Sequence, residues 1–347
     1  MIHYKTKRGI TLEALFYTGS LLLLTQSCIT TSEDKKASPE SEDKNIYNLR
    51  EAQVKPEGYD YSDQKTFKVL SWNVEHFVDS YDDPYINTNR ENNPNADLDK
   101  KLSYLVEGLK TANADLVILQ EFESTKYLRQ IAKDSLPELG YTYVAGAPSD
   151  DWYMNVVVMS KFPLGVLYSY GNVTTPALDY VDENGNKETQ NHLNTRMWSL
   201  EVFPAEDYDF ILTGLHLKAG RGERNKAIRL GQINFLKQRF QRFIELNPSQ
   251  NLLITGDLNS TLESDEISAL KDGNNKAFTF YDPLPVDQMT HSVKNPERRL
   301  DYTLFNGNMQ NEYVQHSAQV PTLLEDEKLE VMSDHLPLII SFRKIDE

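Results

Sequence analysis

The sequence predicts an α/β domain built from two packed sheets with helices on the outside. Three observations predict it. From Phe67 onward, short apolar runs of strand length recur; a few long stretches carry apolar residues at helical spacing; and the two kinds of segment do not alternate strictly.

The elements follow in order. Phe67 to Trp72 reads as a strand. Leu98 to Ala112 places Leu98, Leu102, Leu105, Val106 and Leu109 on one helical face. Asp115 to Gln120 is a buried-strand pattern that stops at Glu121, and Val156 to Ser160 is another. Trp198 to Val202 and Phe210 to Leu217 read as neighbouring strands. Arg224 to Leu246 is a long helix with Ile228, Leu230, Ile233, Leu236, Phe240 and Phe243 as its buried candidates. Asn251 to Gly256 is a strand meeting a turn, and Leu300 to Phe305 and Leu336 to Phe342 close the domain. No internal repeat is visible.

Ahead of this domain the composition differs. Lys5, Lys7 and Arg8 precede an apolar run from Leu12 to Leu24, too short to span a bilayer comfortably but suited to a signal-peptide core. Ser27 directly before the lone Cys28 resembles a bacterial lipoprotein cleavage box. That resemblance implies a lipid on Cys28, holding the protein to a membrane surface without a spanning helix. Residues 29–65 are polar, mixed in charge and interrupted by Pro39, Pro56 and Gly58, and read as a flexible tether. The expected organisation is therefore a signal peptide over 1–28, a tether over 29–65 and a catalytic domain over 66–347. Ser32-Glu33-Asp34 behind the cysteine points to the outer face of the cell envelope.

A net charge of −16 gives no long-range attraction for nucleic acid or anionic membrane, so a phosphoester substrate would need a local cation or basic patch. One cysteine excludes an intrachain disulfide, and its place in the leader excludes cysteine catalysis. A serine triad fits poorly because no G-x-S-x-G elbow is present. Zinc fits poorly because there are no thiolates and no histidines paired at i, i+4.

Polar residues recur at the ends of the apolar strands. Ser71-Trp72-Asn73-Val74-Glu75, Leu119-Gln120-Glu121, Gly214-Leu215-His216-Leu217, Gly256-Asp257-Leu258-Asn259, Arg299-Leu300-Asp301-Tyr302 and Ser333-Asp334-His335-Leu336-Pro337 each bring an acid, amide or imidazole to a sheet rim, where several can converge on one cleft. This ordered set, from about Val69 to Leu338, resembles the endonuclease/exonuclease/phosphatase superfamily, a group that includes deoxyribonuclease-I-like nucleases, sphingomyelinases and inositol-polyphosphate phosphatases. The resemblance implies a four-layered α/β/β/α sandwich of two packed mixed sheets with outer helices, and hydrolysis of a phosphoester with a divalent cation.

Phosphodiesters repel nucleophiles, and a hard cation neutralises that charge; Mg²⁺ needs few protein oxygens because it keeps several waters. Mg²⁺ is the expected ion, with Mn²⁺ or Ca²⁺ as alternatives. Glu121 is the first-choice ligand, Asn73 contributes an amide oxygen, and Asp334 and Glu75 are further candidates. His335 is the candidate base or phosphate-stabilising group, oriented by Asp301. Asp257 would position and deprotonate the attacking water, Asn259 would donate to the developing charge, and His216 and Arg196 match phosphate-binding positions. Lys218, Arg221 and Arg224 stand beside His216 as a further grip for a polyanion, or as ordinary helix-start charge. The expected substrate is nucleic acid, acted on by a monomer. A phosphatase or sphingomyelinase-like phospholipid phosphodiesterase is the alternative enzyme, and a non-catalytic binding protein on the same fold the alternative of another class.

Overall fold

A computed structural model describes residues 58–94, 96–147, 152–171, 173–191, 193 and 196–345; the signal peptide, Cys28 and most of the tether lie outside the described residues. Thirteen strands and six α-helices are found among the described residues. The strands are β1 (Thr66–Phe77), β2 (Leu116–Phe122), β3 (Tyr143–Gly146), β4 (Asn155–Ser160), β5 (Leu164–Ser169), β6 (Thr175–Val181), β7 (Lys187–Gln190), β8 (Met197–Ala205), β9 (Tyr208–His216), β10 (Leu252–Asp257), β11 (Phe280–Tyr281), β12 (Asp301–Asn306) and β13 (Leu338–Arg343). The helices are α1 (Asn89–Asn92), α2 (Leu98–Ala112), α3 (Thr125–Asp134), α4 (Glu223–Leu246), α5 (Asp265–Lys271) and α6 (Asp326–Met332). None of them is long and apolar enough to cross a membrane.

Two mixed sheets carry the domain, in strand orders β13-β1-β2-β4-β3 and β11-β12-β10-β9-β8-β5; β6 and β7 form a separate hairpin. In each sheet one parallel pair, β1 with β2 and β9 with β10, sits among antiparallel neighbours. Strand periodicity sorts the side chains into layers. On β1, Phe67 and Val69 face the second sheet, where they meet Trp198, Leu200, Phe210 and Leu253, with Phe342 of the neighbouring β13 beside them. The alternate residues Leu70 and Trp72 face α2 and α3, against Leu105, Leu109, Leu128 and Ile131. On the far side, Ile211, Leu215, Ile254 and Leu304 pack under Ile233, Leu236 and Phe240 of α4. Three apolar layers between four structural ones give the expected α/β/β/α sandwich.

Two glycines set how closely the strands approach. A Cβ on Gly256 (φ 139°) would lie 1.9 Å from the Leu215 carbonyl oxygen, and one on Gly214 would meet the Trp198 ring at 2.6 Å. Gly256 precedes Asp257, so this tight contact between β9 and β10 also places a candidate functional carboxylate.

Candidate active site

The ends of β1, β2, β9, β10 and β12 and the turn before β13 meet at one rim of the sandwich. The β1–β2 register shifts between Asn73 and Phe77, and the β2–β4 register shifts between Leu119 and Phe122. Glu75 (φ 43°), His76 (φ 50°) and Glu121 (φ 57°) sit in those irregularities with left-handed backbones, as does Asn259 (φ 51°) after β10. A non-glycine residue at positive φ costs of order 1 kcal/mol or more. At strand ends such residues break the pleat and re-aim side chains, Glu121 toward Asn73 and Asn259 toward Asp257.

Asp257 is at the centre and buried. Its Oδ1 accepts from the Asn259 N–H at 2.7 Å, and its Oδ2 accepts from Asn259 Nδ2 at 3.1 Å and Asn73 Nδ2 at 3.2 Å. Burial raises this carboxyl and the carboxylates of Asp301 and Glu121 add to it; the His335 imidazole and the Asn259 N–H oppose them, and the balance stands at about 7. His335 Nδ1 lies 2.7 Å from Asp301 Oδ2, and its Nε2 lies 3.9 Å from Asp257 Oδ2. Burial alone would lower this imidazole. The two carboxylates outweigh it and push it up to about 10, so it is an imidazolium at neutral pH. Asp301 Oδ1 is buried without a partner, so this carboxylate is committed to His335 alone among side chains.

His216 Nε2 faces Asp257 Oδ2 at 3.6 Å and Glu121 Oε1 at 3.8 Å. Burial pushes it down to about 4, which leaves it neutral. Burial would raise the Glu121 carboxyl; the His216 and His76 imidazoles when protonated, the Asn73 amide and the His76 N–H lower it, and it stands below the ordinary range. Glu121 therefore stays ionised. Asn73 donates to Glu121 Oε1 at 3.3 Å, while its Oδ1 accepts the Glu75 N–H at 3.1 Å. In this arrangement Asn73 bridges the two carboxylates with its amide N–H groups, and its oxygen is turned away from them.

The anchoring bonds cross the whole domain. Trp72 Nε1 donates to the His335 carbonyl at 2.9 Å, and Ser333 Oγ donates to the Asn73 carbonyl at 2.6 Å. Arg196 lies close enough to His216 to oppose its protonation, and its Nε is buried without a partner. Asp334 is half exposed and stands at the edge, with Oδ1 3.7 Å from His335 Nε2 and Oδ2 3.4 Å from His291 Nε2. The Glu75 side chain instead lines an adjoining cleft of about 490 Å³ with His76, Arg90 and Lys101. Lys218 and Arg221 make no ion pair among the described residues, whereas Arg224 is taken up by Glu188. Arg221 lines a groove of about 480 Å³ with Asn259 and Arg298.

Three residues escaped the sequence reading. His76 donates its N–H to Glu121 Oε2 at 3.1 Å and accepts or donates at Nδ1 with Tyr153 Oη at 2.8 Å. His291 stacks edge-on to the His335 ring at 4.9 Å, and Arg298 reaches its Nδ1 at 2.9 Å. A guanidinium only donates, so His291 Nδ1 is the acceptor and its Nε2 carries the proton that faces Asp334.

The donor set suits a hard divalent cation. Glu121 and Asp257 flank a neutral imidazole, and no Lys or Arg pairs with either among the described residues. Asp257, Asp301 and His335 bring one ligand atom each within 4.8 Å of one another, as do His291, Asp334 and His335.

Comparison with known proteins gives a consistent picture. Residues 70–335 match the sequence profile of the Endonuclease/Exonuclease/phosphatase family. No curated protein matches the chain. Among solved structures, the human Nocturnin catalytic domain with bound sulfate is similar at TM-score 0.53 and 15% identity, over 81% of this chain and 96% of that one. D. rerio TDP2 complexed with single-strand DNA product is similar at TM-score 0.51 and 14% identity, over 81% and 100%. Staphylococcus aureus beta toxin is similar at TM-score 0.50 and 15% identity, over 79% and 99%. At these identities the likeness is one of fold.

Proposed function

Since the chain belongs to the endonuclease/exonuclease/phosphatase family, whose profile covers residues 70–335, we propose that it hydrolyses phosphodiester bonds of nucleic acid with the help of a divalent cation. The observation that carries this reading is the buried Asp301–His335–Asp257 line running into Glu121, with Asn73, Asn259 and His216 around it. Glu121, with Asp257 and Asp334 as further oxygen donors, would hold a Mg²⁺ that supplies charge neutralisation at the phosphoryl oxygens and polarises phosphorus toward attack.

The residues divide the remaining work. Asp257, held by three N–H donors, orients the attacking water and takes its proton. The His335 imidazolium, kept charged by Asp301, donates to a non-bridging oxygen as negative charge develops there. The unpartnered Arg196 Nε supplies a further donor, and Asn259 Nδ2, committed to Asp257 Oδ2 and the Leu217 carbonyl, would join it by giving up one of those bonds. His216, neutral, donates or accepts without adding charge beside Glu121. Lys218, Arg221 and Arg298 offer fixed positive charge next to Asn259, which favours a polyanionic chain over an isolated phosphomonoester. We further propose that residues 66–347 are the catalytic domain, with Cys28 lipidated at the cell envelope.

The purified protein with Mg²⁺ should be offered plasmid DNA, RNA, sphingomyelin and a phosphomonoester. Cutting of nucleic acid is expected. Turnover of the lipid or the monoester alone would replace the nucleic-acid reading, and no turnover of any substrate would favour a binding protein. Glu121→Gln should lower Mg²⁺-dependent turnover by roughly 10²- to 10³-fold, the equivalent of a few kcal/mol of lost charge stabilisation; near-normal kcat/KM would remove Glu121 from the site.

A further inference from the structure

The segment between β1 and α2 carries a second concentration of oxygen ligands, apart from the cleft. Glu91, on α1, is 1% exposed, and Glu123, just beyond β2, is 6% exposed. Each is tied to the loop through one oxygen. The Asp83 N–H donates to Glu91 Oε1 at 2.6 Å, and the Asp79 N–H donates to Glu123 Oε2. Glu91 Oε2 is buried and accepts nothing. The same holds for Thr88 Oγ1 and Asn92 Oδ1 on the same turn, and for Asn155 Oδ1, whose Nδ2 donates to the Glu123 carbonyl at 2.6 Å.

The orphaned atoms are all oxygens, and three of the four can only accept, so the missing partner is a donor or a cation. No Lys, Arg or His ion-pairs with Asp79, Asp83, Glu91 or Glu123 among the described residues, and the charges acting most on Glu123 are the other three carboxylates. Burial and these neighbours push the Glu123 carboxyl up to about 7, which is the penalty on its charged form that a counter-charge would remove. A water can satisfy lone pairs but not the charge. A cation satisfies both. Ca²⁺ takes roughly six to eight oxygens in flexible geometry and mixes carboxylates with amide carbonyls, whereas Mg²⁺ demands a near-octahedral set and keeps its waters.

We propose that Asp79, Asp83, Glu91, Glu123 and Asn155 Oδ1 form a binding site for a Ca²⁺-class cation that fastens the segment 78–93 to the ends of β2 and β4. No three of the four carboxylates bring ligand atoms within 4.8 Å of one another, so binding draws the two half-buried aspartates of the loop inward. The site is separate from the catalytic cation, yet Asn89, Arg90 and Asn93 of the same segment line the cleft beside Glu75 and His76. The ion therefore fixes one wall of the approach to the active site.

The test uses the full chain, stripped of metal by a chelator, in a Glu121→Gln background that weakens binding in the catalytic cleft. Tb³⁺ is the probe, excited through the neighbouring Tyr81, Tyr85 and Tyr153. Saturable emission is expected, displaced by Ca²⁺ at about tenfold or more lower concentration than by Mg²⁺. Adding Glu91→Gln should abolish it, and Asp83→Asn should weaken it about tenfold or more. Amide exchange across 79–92 should slow when Ca²⁺ is added. Emission that Ca²⁺ does not displace, or that persists unchanged in both variants, would overturn the site. If circular dichroism shows Glu91→Gln unfolded, the half-buried Asp83→Asn decides alone.

Discussion

At the scale of single residues, the chemistry depends on protonation states that burial and neighbours set in opposite directions. His335 is pushed up to about 10 and His216 down to about 4, although both are buried in the same cleft. The difference is Asp301, which contacts the first and not the second. Asp301→Asn should therefore let His335 titrate near its ordinary value, visible as imidazole resonances in NMR of the metal-free protein, and should lower kcat/KM by roughly 10²- to 10⁴-fold. The raised pKa also fixes a sign for stability. The folded state holds the His335 proton more tightly than the unfolded chain, so the contribution is complete below the unfolded value of 6.5 and is lost as pH rises through about 10. In urea unfolding of metal-free protein, the advantage of wild type over His335→Gln should be greatest at pH 6 and shrink toward pH 10; a gap that widens with pH would contradict the pairing. Asp257, Asn259, Glu121 and His335 were legible in the sequence because each stands at or beside the end of an apolar strand. His76 and His291 were not. His76 acts through its backbone N–H, which any residue carries, and His291 lies in a turn whose partner, Arg298, sits seven residues away across an isolated bridge.

At the scale of elements, the long helices were readable because their apolar spacing persists for many residues. α2 occupies the residues expected, and α4 begins one residue earlier than expected. The strands missed, β3, β5 and the two-residue β11, are outer strands of their sheets, β3 and β5 with half-exposed side chains, and β6 and β7 make a hairpin outside both sheets. None of these buries a continuous apolar run, so none leaves a periodic signal. β1 ran five residues beyond the predicted Trp72 because its irregular end carries the site residues. Packing between elements sets two further expectations. Gly256→Ala places a methyl on the Leu215 carbonyl, so it should cost about 3 kcal/mol or more and displace Asp257, read as lower Tm together with lower kcat. Arg229, buried on α4, bonds Glu266 of α5 at 2.8 Å and also holds the carbonyls of Lys218 and Gly220. Glu266→Gln should destabilise the protein by about 3 kcal/mol in denaturant titration, since it leaves a buried guanidinium without its counter-charge.

At the scale of the whole molecule, the layered sandwich follows from where apolar runs fall, while its connectivity needed the structure. If the proposed polyanionic substrate holds, a chain of net charge −16 must rely on short-range cations to bind it, so binding of a polynucleotide should weaken steeply with salt only to the extent that Lys218, Arg221 and Arg298 take part. Replacing Arg221 by Ala should flatten the slope of log K against log salt by about one phosphate contact. The anchoring proposed for Cys28 has its own test: Cys28→Ala should move the protein from the membrane to the soluble fraction, and unchanged fractionation would refute lipidation there. The bonds from Trp72 to the His335 carbonyl and from Ser333 to the Asn73 carbonyl join the first and last strands of the domain across the site. A ribosome must therefore translate past His335 before its imidazolium can reach the rest of the machinery. Every translation product that stops short of that residue lacks the group, so none of those fragments is an armed version of the hydrolase.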